Sequence, residues 1–265
     1  KEIREINQLG IRAIAIFPVI DPLKKDPTGT EATKRDNLIS RVLDSVKSKF
    51  PDMLVIADVA LDPYTDHGHD GVMEDNKILN DQTLEVLAEQ SLILAEAGAD
   101  IIAPSDMMDG RIGFIRKKLD QNSFEDKIIL SYAAKYNSKY YGPFRDAVNS
   151  KNNLGTSDKS SYQMNPANSL EALNEVAMDI EEGADIVMVK PGMPYLDIIS
   201  KIKKEFKIPA FAYQVSGEYA MIMESVNKGW LDKDVIIESL TSFKRAGADA
   251  VLTYFAKDLI KEFNL

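Results

Sequence analysis

Short apolar runs alternate with amphipathic stretches along most of the chain. The pattern is clearest at Ile186-Val187-Met188-Val189, an apolar run bounded by Gly183 and by Pro191-Gly192. A run so short and so uniformly apolar reads as a strand buried on both faces, as in a parallel sheet. Further strands are expected at residues 11–19, 53–61, 100–104, 128–132, 210–215 and 250–254. Between them, apolar positions recur at helical spacing. Helices are expected over residues 1–9, 37–50, 83–97, 169–182 and 195–206, after Asp109, on both sides of Gly229-Trp230, and at the end of the chain. Polar stretches at 21–31, 62–71 and 136–162 read as loops, the first rich in Pro and Gly and expected to be mobile.

One joint repeats: a helix, then Gly-Ala-Asp, then a strand, at residues 98–100, 183–185 and 247–249, with a looser copy at 10–12. The glycine can adopt the left-handed conformation that ends a helix, and the apolar run after it enters the sheet. Such joints imply parallel strands with helical crossovers. Seven strands are expected in strict alternation with helices, one short of a TIM (β/α)8 barrel. Because the chain opens in a helix, the first strand is expected upstream of Lys1. The competing open, doubly wound sheet would carry a Gly-rich phosphate turn after an early strand, and none is found. The expectation is a single α/β barrel domain over residues 1–265.

Composition narrows the function. A formal charge of −10 argues against a general nucleic-acid or anionic-membrane role. The absence of cysteine excludes disulfides and thiolate metal sites. No run is long and apolar enough to cross a bilayer.

In a barrel of this class, function sits at the carboxyl ends of the strands. The polar residues expected there are Asp62 to Asp70, Ser105, Asp106, Lys135, Lys190, Ser216 and Tyr254. Lys190 closes its apolar strand. It could snorkel to solvent, or be desolvated, lose its proton and act as a nucleophile toward carbonyls. Lys135 follows the strand at 128–132 in the same way. Two lysines in one mouth would each disfavour the other's protonation, whereas Lys135 could equally pair with a loop carboxylate. The stretch DPYTDHGHDG holds both histidines, His67 and His69. Its spacing is compatible with a divalent cation, but a polar turn with aspartates capping backbone amides is the simpler reading. Arg145 and Lys159 could clamp a carboxylate or be solvated loop charges. Phe144 could exclude water if that loop closes. Ser216 and Tyr254 could bind a second carboxylate or be satisfied by backbone groups.

Several stretches together resemble the porphobilinogen synthase (5-aminolevulinate dehydratase) family. They are FPVID, DVALDPYTDHGHDG, APSDMMDGRI, SYAAKYNSKYYGPFRDA, SSYQMNPANS, VMVKPGMPYLD, YQVSGEYAMI and TYFA, in the family's order from Phe17 onward. The resemblance implies a cytoplasmic lyase that condenses two 5-aminolevulinate molecules into porphobilinogen with loss of two waters. It implies imines on Lys190 and Lys135, one for each substrate. Arg145 and Lys159 would hold one substrate carboxylate, and Ser216 and Tyr254 the other. Tyr213 and Phe144 would wall the pocket, with Gln163, Asp62, Asp70 and Ser105 also contacting substrate. Zinc-dependent members carry three cysteines where this chain has Ala60, Asp62 and Asp70, so no catalytic zinc is expected. Magnesium-stimulated members bind the ion through a glutamate that matches Glu175, near Asp106 and Arg111. The family's usual assembly is a homo-octamer. Two rival readings are a class I aldolase-type barrel, which needs one imine lysine, and a catalytically silent barrel that binds an acidic metabolite or a metal for regulation.

Overall fold

The amphipathic stretches become helices that return the chain over the outside of one parallel sheet. The structure, a computed structural model, describes residues 1–147 and 158–263. In chain order the strands are β1 (Ala13–Ile16), β2 (Leu54–Val59), β3 (Met73–Glu74), β4 (Lys77–Ile78), β5 (Ile101–Pro104), β6 (Ile128–Lys135), β7 (Ile186–Lys190), β8 (Ala210–Tyr213) and β9 (Ala250–Leu252). Seven of them pair in parallel, in the order β1-β2-β5-β6-β7-β8-β9. Together with the outer helices they make a nearly closed barrel of the (β/α)8 type. Its first and last helices are neighbours: Lys257 of Ala256–Phe263 meets Glu2 and Glu5 of Glu2–Gln8 at 2.6 and 3.1 Å.

Alternation along the strands divides the apolar side chains into two layers. Val55, Ala57, Ile129, Val187, Val189 and Ala212 face outward and pack under the helices. Ile56, Ile101, Leu130, Tyr132, Met188 and Tyr213 face inward and fill the barrel. This inner layer is a packed floor, as barrels of this class require.

The Gly-Ala-Asp joint does more than stop helices. Gly98, Gly183 and Gly247 have φ of 102, 106 and 106°, the conformation expected of them. Each aspartate then reaches sideways to the start of the neighbouring strand. Asp100 accepts from the Val55 N–H, Asp185 from Ile129 and Asp249 from Ala210, each at 2.8 Å. Lys47 and Lys203, on the helices that lead into those neighbouring strands, approach Asp100 and Asp249 at 3.0 and 2.6 Å. The motif therefore fixes helix end, strand start and strand neighbour with one carboxylate.

Three loops hold more structure than their composition suggests. Residues 21–31 are built from 3₁₀ turns and held down by backbone bonds joining Asp26 to Tyr64 and Asp66. Within that Pro- and Gly-rich segment the Asp26 carboxylate accepts from the N–H groups of Thr28 and Thr30 and shapes the turn. The region 136–162 contains the helix Gly142–Ala147. Strands β3 and β4 form a hairpin whose tip, Asp75-Asn76, has φ of 47 and 59° at successive residues. That is the turn geometry Asn and Asp tolerate best after glycine.

Asp100→Ala is expected to lower the unfolding free energy by about 1.5–3 kcal/mol, because it removes charge-assisted hydrogen bonds to a strand and a helix together. Urea unfolding measures this; an unchanged midpoint would show that the joint contributes nothing.

Candidate functional site

The inward phase of each strand, carried past the packed floor, delivers one side chain to the barrel mouth. Ile186 and Met188 on β7 are followed by Lys190, and Ile56 on β2 is followed by Asp58. Ile101 and Ala103 on β5 are followed by Ser105, and Ala15 by Phe17. These residues line a cavity of about 690 Å³, open mouth included, together with Lys135, Phe144, Lys159 and Gln163. The size and the mix of apolar walls with a few converging polar groups suit a small-molecule site.

Lys135 and Lys190 occupy paired register positions on adjacent strands. A β-bulge makes this so. Leu130 and Ser131 of β6 pair with Ile186 and Val187, but past the bulge Ala134 and Lys135 pair with Val189 and Lys190. Ala133 and Ala134 both face the outer layer, and the extra residue turns Lys135 inward.

Four rings surround the Lys190 ammonium. Its Nζ lies 4.6 Å from the centroid of Tyr213, 5.0 Å from Tyr132, 5.6 Å from Tyr141 and 5.8 Å from Phe144. Aromatic faces attract a cation, yet they also exclude water. Burial, and then the charge of Lys135, push the Lys190 pKa down to about 7 against the pull of Asp58, Asp62 and Asp70. Asp58 is displaced the other way, up to about 6, chiefly by burial, with Lys190 opposing. The Ser105 hydroxyl donates to it.

The second lysine stands in a more polar setting. Lys135 is 6% exposed; its Nζ donates to the Ser105 carbonyl and lies 3.9 Å from Asp70. Lys159 is held between Asp62 and Asp70 at 3.0 and 2.8 Å. Burial works against the charge of Lys159, but the two carboxylates outweigh it and raise its pKa. Asp70 is driven down to about 2; burial, which opposes this, is outweighed by the charges of Lys159 and Lys135.

Of the other expected residues, Gln163 lines the cavity, its side-chain oxygen without a hydrogen-bond partner among the described residues. Ser216 accepts from the Phe144 N–H at 2.9 Å, which ties the helix Gly142–Ala147 to the mouth of β8. Tyr254 is 43% exposed and hydrogen-bonds Tyr213. The Arg145 side chain lies outside the described residues. Glu175 is not at the cavity. It sits 3.4 Å from Arg111, a fully buried guanidinium that also faces Asp106 and Asp179 at 3.8 and 3.4 Å. Burial first, with Arg111 opposing, raises Glu175 to about 7. The stretch at 62–71 folds as a turn: the Thr65 hydroxyl donates to the His69 carbonyl and the His69 N–H to His67 Nδ1. Among the described residues, no three His, Asp or Glu side chains converge as a metal site.

Two residues of the site were not singled out in the sequence. Asp58 is one, although a carboxylate on the inward phase of an apolar strand is itself a signal. Glu218 is the other. Fully buried, it accepts from the N–H groups of Gly192, Met193 and Val215 at 3.2, 2.6 and 2.7 Å. It thereby clamps the segment after Lys190 to the one before Ser216. Gly217, beside it, lies so close to Tyr140 that a Cβ would stand 2.3 Å from that carbonyl.

This geometry has close counterparts. The family model for delta-aminolevulinic acid dehydratase matches residues 1–262. The delta-aminolevulinic acid dehydratase of Bradyrhizobium diazoefficiens is 56% identical over 257 residues, 97% of this chain and 72% of that protein. The Rhodobacter capsulatus protein of the same name is 55% identical over 240 residues, 90% of this chain and 72% of that one. Among solved structures, the Toxoplasma gondii enzyme in complex with the reaction product porphobilinogen superposes with a TM-score of 0.96 at 49% identity, covering 98% of this chain and 74% of that one. A match along nearly the whole chain, in sequence and in backbone, places it: the chain belongs to the delta-aminolevulinic acid dehydratase family.

Proposed function

We propose that this site performs the family's hydro-lyase reaction through two lysine imines. The reaction joins two 5-aminolevulinate molecules into porphobilinogen and releases two waters. The observation that carries the two-lysine reading is the register pairing of Lys135 with Lys190 in one cavity. Each amine attacks a substrate ketone and loses one water to form an imine. A protonated imine withdraws electrons from the neighbouring carbon, which then gives up a proton and forms the carbon–carbon bond. Loss of one lysine by elimination, and displacement of the other by a substrate amine, return both side chains.

The remaining groups divide the work. Lys190, with its pKa lowered to about 7, supplies neutral amine at physiological pH. Asp58, raised to about 6, stands near both lysines as a carboxyl able to take and return protons. Lys159 and Arg145 would meet one substrate carboxylate, and Ser216 with Tyr254 the other. Gln163 offers a free acceptor to a substrate amine, and Tyr213 and Phe144 keep water from the imine.

For metal, the donor chemistry favours magnesium over zinc. There are no thiolates. Asp62 and Asp70, at positions where cysteines stand in zinc-dependent members, already enclose the Lys159 ammonium. Glu175, partly open to solvent, and the Oδ2 of buried Asp106, which has no hydrogen bond among the described residues, supply hard oxygen atoms beside Arg111. A magnesium ion, which keeps most of its waters, would use Glu175 as its protein ligand and supply a fixed positive charge there.

Borohydride reduction with 5-aminolevulinate, followed by peptide mapping, is expected to label Lys190 and Lys135. Lys135→Ala is expected to lower kcat by on the order of 10³-fold or more. Turnover near wild type would favour a single-imine aldolase mechanism. Below about pH 7, protonation of Lys190 withdraws the nucleophile. We expect kcat/KM to fall about tenfold per pH unit on that acid limb, and a flat profile through this range would contradict an amine of lowered pKa. EDTA is expected to lower activity moderately and magnesium to restore it; an absolute requirement for zinc would overturn the assignment.

A further inference from the structure

The four rings around the Lys190 amine come from two sources. Tyr132 and Tyr213 are strand residues, on β6 and β8, and the sheet fixes them. Tyr141 and Phe144 belong to the segment that leaves β6, a 3₁₀ turn over Lys139–Tyr141 followed by the helix Gly142–Ala147. That segment is seated on the first turn of the helix Ser216–Asn227. There the Phe144 N–H donates to the Ser216 hydroxyl at 2.9 Å. There too the Tyr140 backbone presses on Gly217. A Cβ at Gly217 would stand 2.3 Å from the Tyr140 carbonyl oxygen and 3.0 Å from its Cα and carbonyl carbon.

We propose that Gly217 is a positioning residue for Lys190: its missing side chain lets the segment 139–144 lie against the helix, and so keeps the rings of Tyr141 and Phe144 over the amine. The inference rests on the reading of Lys190 as an imine-forming lysine.

The helix itself does not ask for glycine at this position. Gly217 is not among the residues with positive φ, and glycine is a poorer helix former than alanine. The close approach is what excludes a side chain. Its partner is backbone, which cannot swing aside as the tip of a side chain can. An ordinary C···O contact is about 3.3–3.6 Å, so a methyl group at 217 drives Tyr140 back by about 1 Å.

The two rings would not feel that retreat equally. Tyr141 is anchored on the lysine side, its hydroxyl 2.8 Å from the Tyr136 carbonyl oxygen and 3.2 Å from that of Lys190. Phe144 is tied to Ser216, and lengthening a 2.9 Å bond by about 1 Å breaks it. The Phe144 ring then leaves its place, 5.8 Å from Lys190 Nζ and edge-on to Phe17 at 5.7 Å. Water reaches the amine from that side.

The charge of Lys190 reports this directly. Burial is the largest influence on it, ahead of Lys135, with Asp58, Asp62 and Asp70 opposing both. Those charged groups lie on β2, on β6 and in the turn at 62–71; none belongs to the segment or to the helix under it. The phenols of Tyr132 and Tyr213 stay protonated, since burial raises their pKa values well above the usual one. Hydration is therefore what a change at 217 alters. Added water favours the ammonium, so Lys190 holds its proton to a higher pH and less neutral amine is present near neutrality.

The test compares the full chain with Gly217→Ala and Phe144→Ala. Without substrate, Lys190 is titrated by the pH dependence of its acetylation with acetic anhydride, read by peptide mapping. The wild-type midpoint is expected at about 7. Both variants are expected to titrate about one pH unit higher. With 5-aminolevulinate, the acid limb of kcat/KM is expected to move up equally. Activity below about pH 7 then falls roughly tenfold and returns to within about twofold of wild type near pH 9. A wild-type midpoint in Gly217→Ala overturns the proposal, whether activity is unchanged or lowered at every pH, the latter being the mark of a structural role. If Gly217→Ala does not fold, Phe144→Ala decides: a raised midpoint upholds the seated ring as what keeps the amine dry, and an unmoved one overturns it. Wild type that forms no Lys190 adduct with 5-aminolevulinate and borohydride would instead sink the imine reading, while the acetylation midpoints still report on the seat.

Discussion

Two lysines on adjacent strands share the mouth of the barrel, where burial first and their mutual repulsion second set the charge of Lys190. At the spacing of neighbouring strands, about 4.8 Å, the repulsion is roughly 3 kcal/mol in an effective dielectric near 20. Side chains free to splay would relieve it. Here they are hemmed in: Lys190 by four rings, Lys135 by the Ser105 carbonyl and Asp70. The strain is met by proton loss at the amine ringed by aromatic side chains. Lys190, in the drier surroundings, has its pKa lowered to about 7. Lys135, beside a carboxylate, has a partner for its charge. Burial first, and then this repulsion, lowers the Lys190 pKa, and the proposed reaction uses the resulting neutral amine.

The scaffold holds this arrangement from both sides of the sheet. At the amino ends of the strands, Asp100, Asp185 and Asp249 spend their charge on backbone N–H groups of neighbouring strands. At the carboxyl ends, the carboxylates of Asp58, Asp62 and Asp70 face amines instead. Glu218 is the exception that links the two kinds of use. It stands at the functional end but is spent on backbone, fastening the segments that follow Lys190 and precede Ser216. Three N–H donors partly offset what burial costs that carboxylate.

The alternation of helix and strand was open to reading in the sequence because each element carries its own periodicity, and the Gly-Ala-Asp joints mark the boundaries. Lys190 was legible for the same reason, being in phase with Ile186 and Met188. Lys135 was not. Regular alternation from Leu130 and Tyr132 would point Ala134 inward and Lys135 out. The bulge that reverses this depends on pairing with β7, which no local pattern records. Lys159 stood in the sequence as a free cation for substrate. Its pairing with Asp62 and Asp70 spans 97 and 89 positions, a separation that only the fold closes. The contacts of Tyr162 were hidden in the same way, since His69 and the Asp70 N–H lie on another loop.

Those long-range pairs also bear on how a buried site admits charged substrates. The described mouth carries Lys135, Lys159 and Lys190 against Asp58, Asp62 and Asp70. A 5-aminolevulinate molecule brings one charge of each sign. In the proposed reaction its carboxylate goes to Lys159 and its ammonium toward Asp62 or Asp70, so one ion pair is exchanged for two and the net buried charge is unchanged. Leaving a buried charge unpaired costs about 3–5 kcal/mol, and the exchange avoids it at entry. The difficulty returns when one ammonium becomes ring N–H, for a carboxylate is then left without its partner and a proton is set free. That carboxylate is the natural first acceptor of the proton.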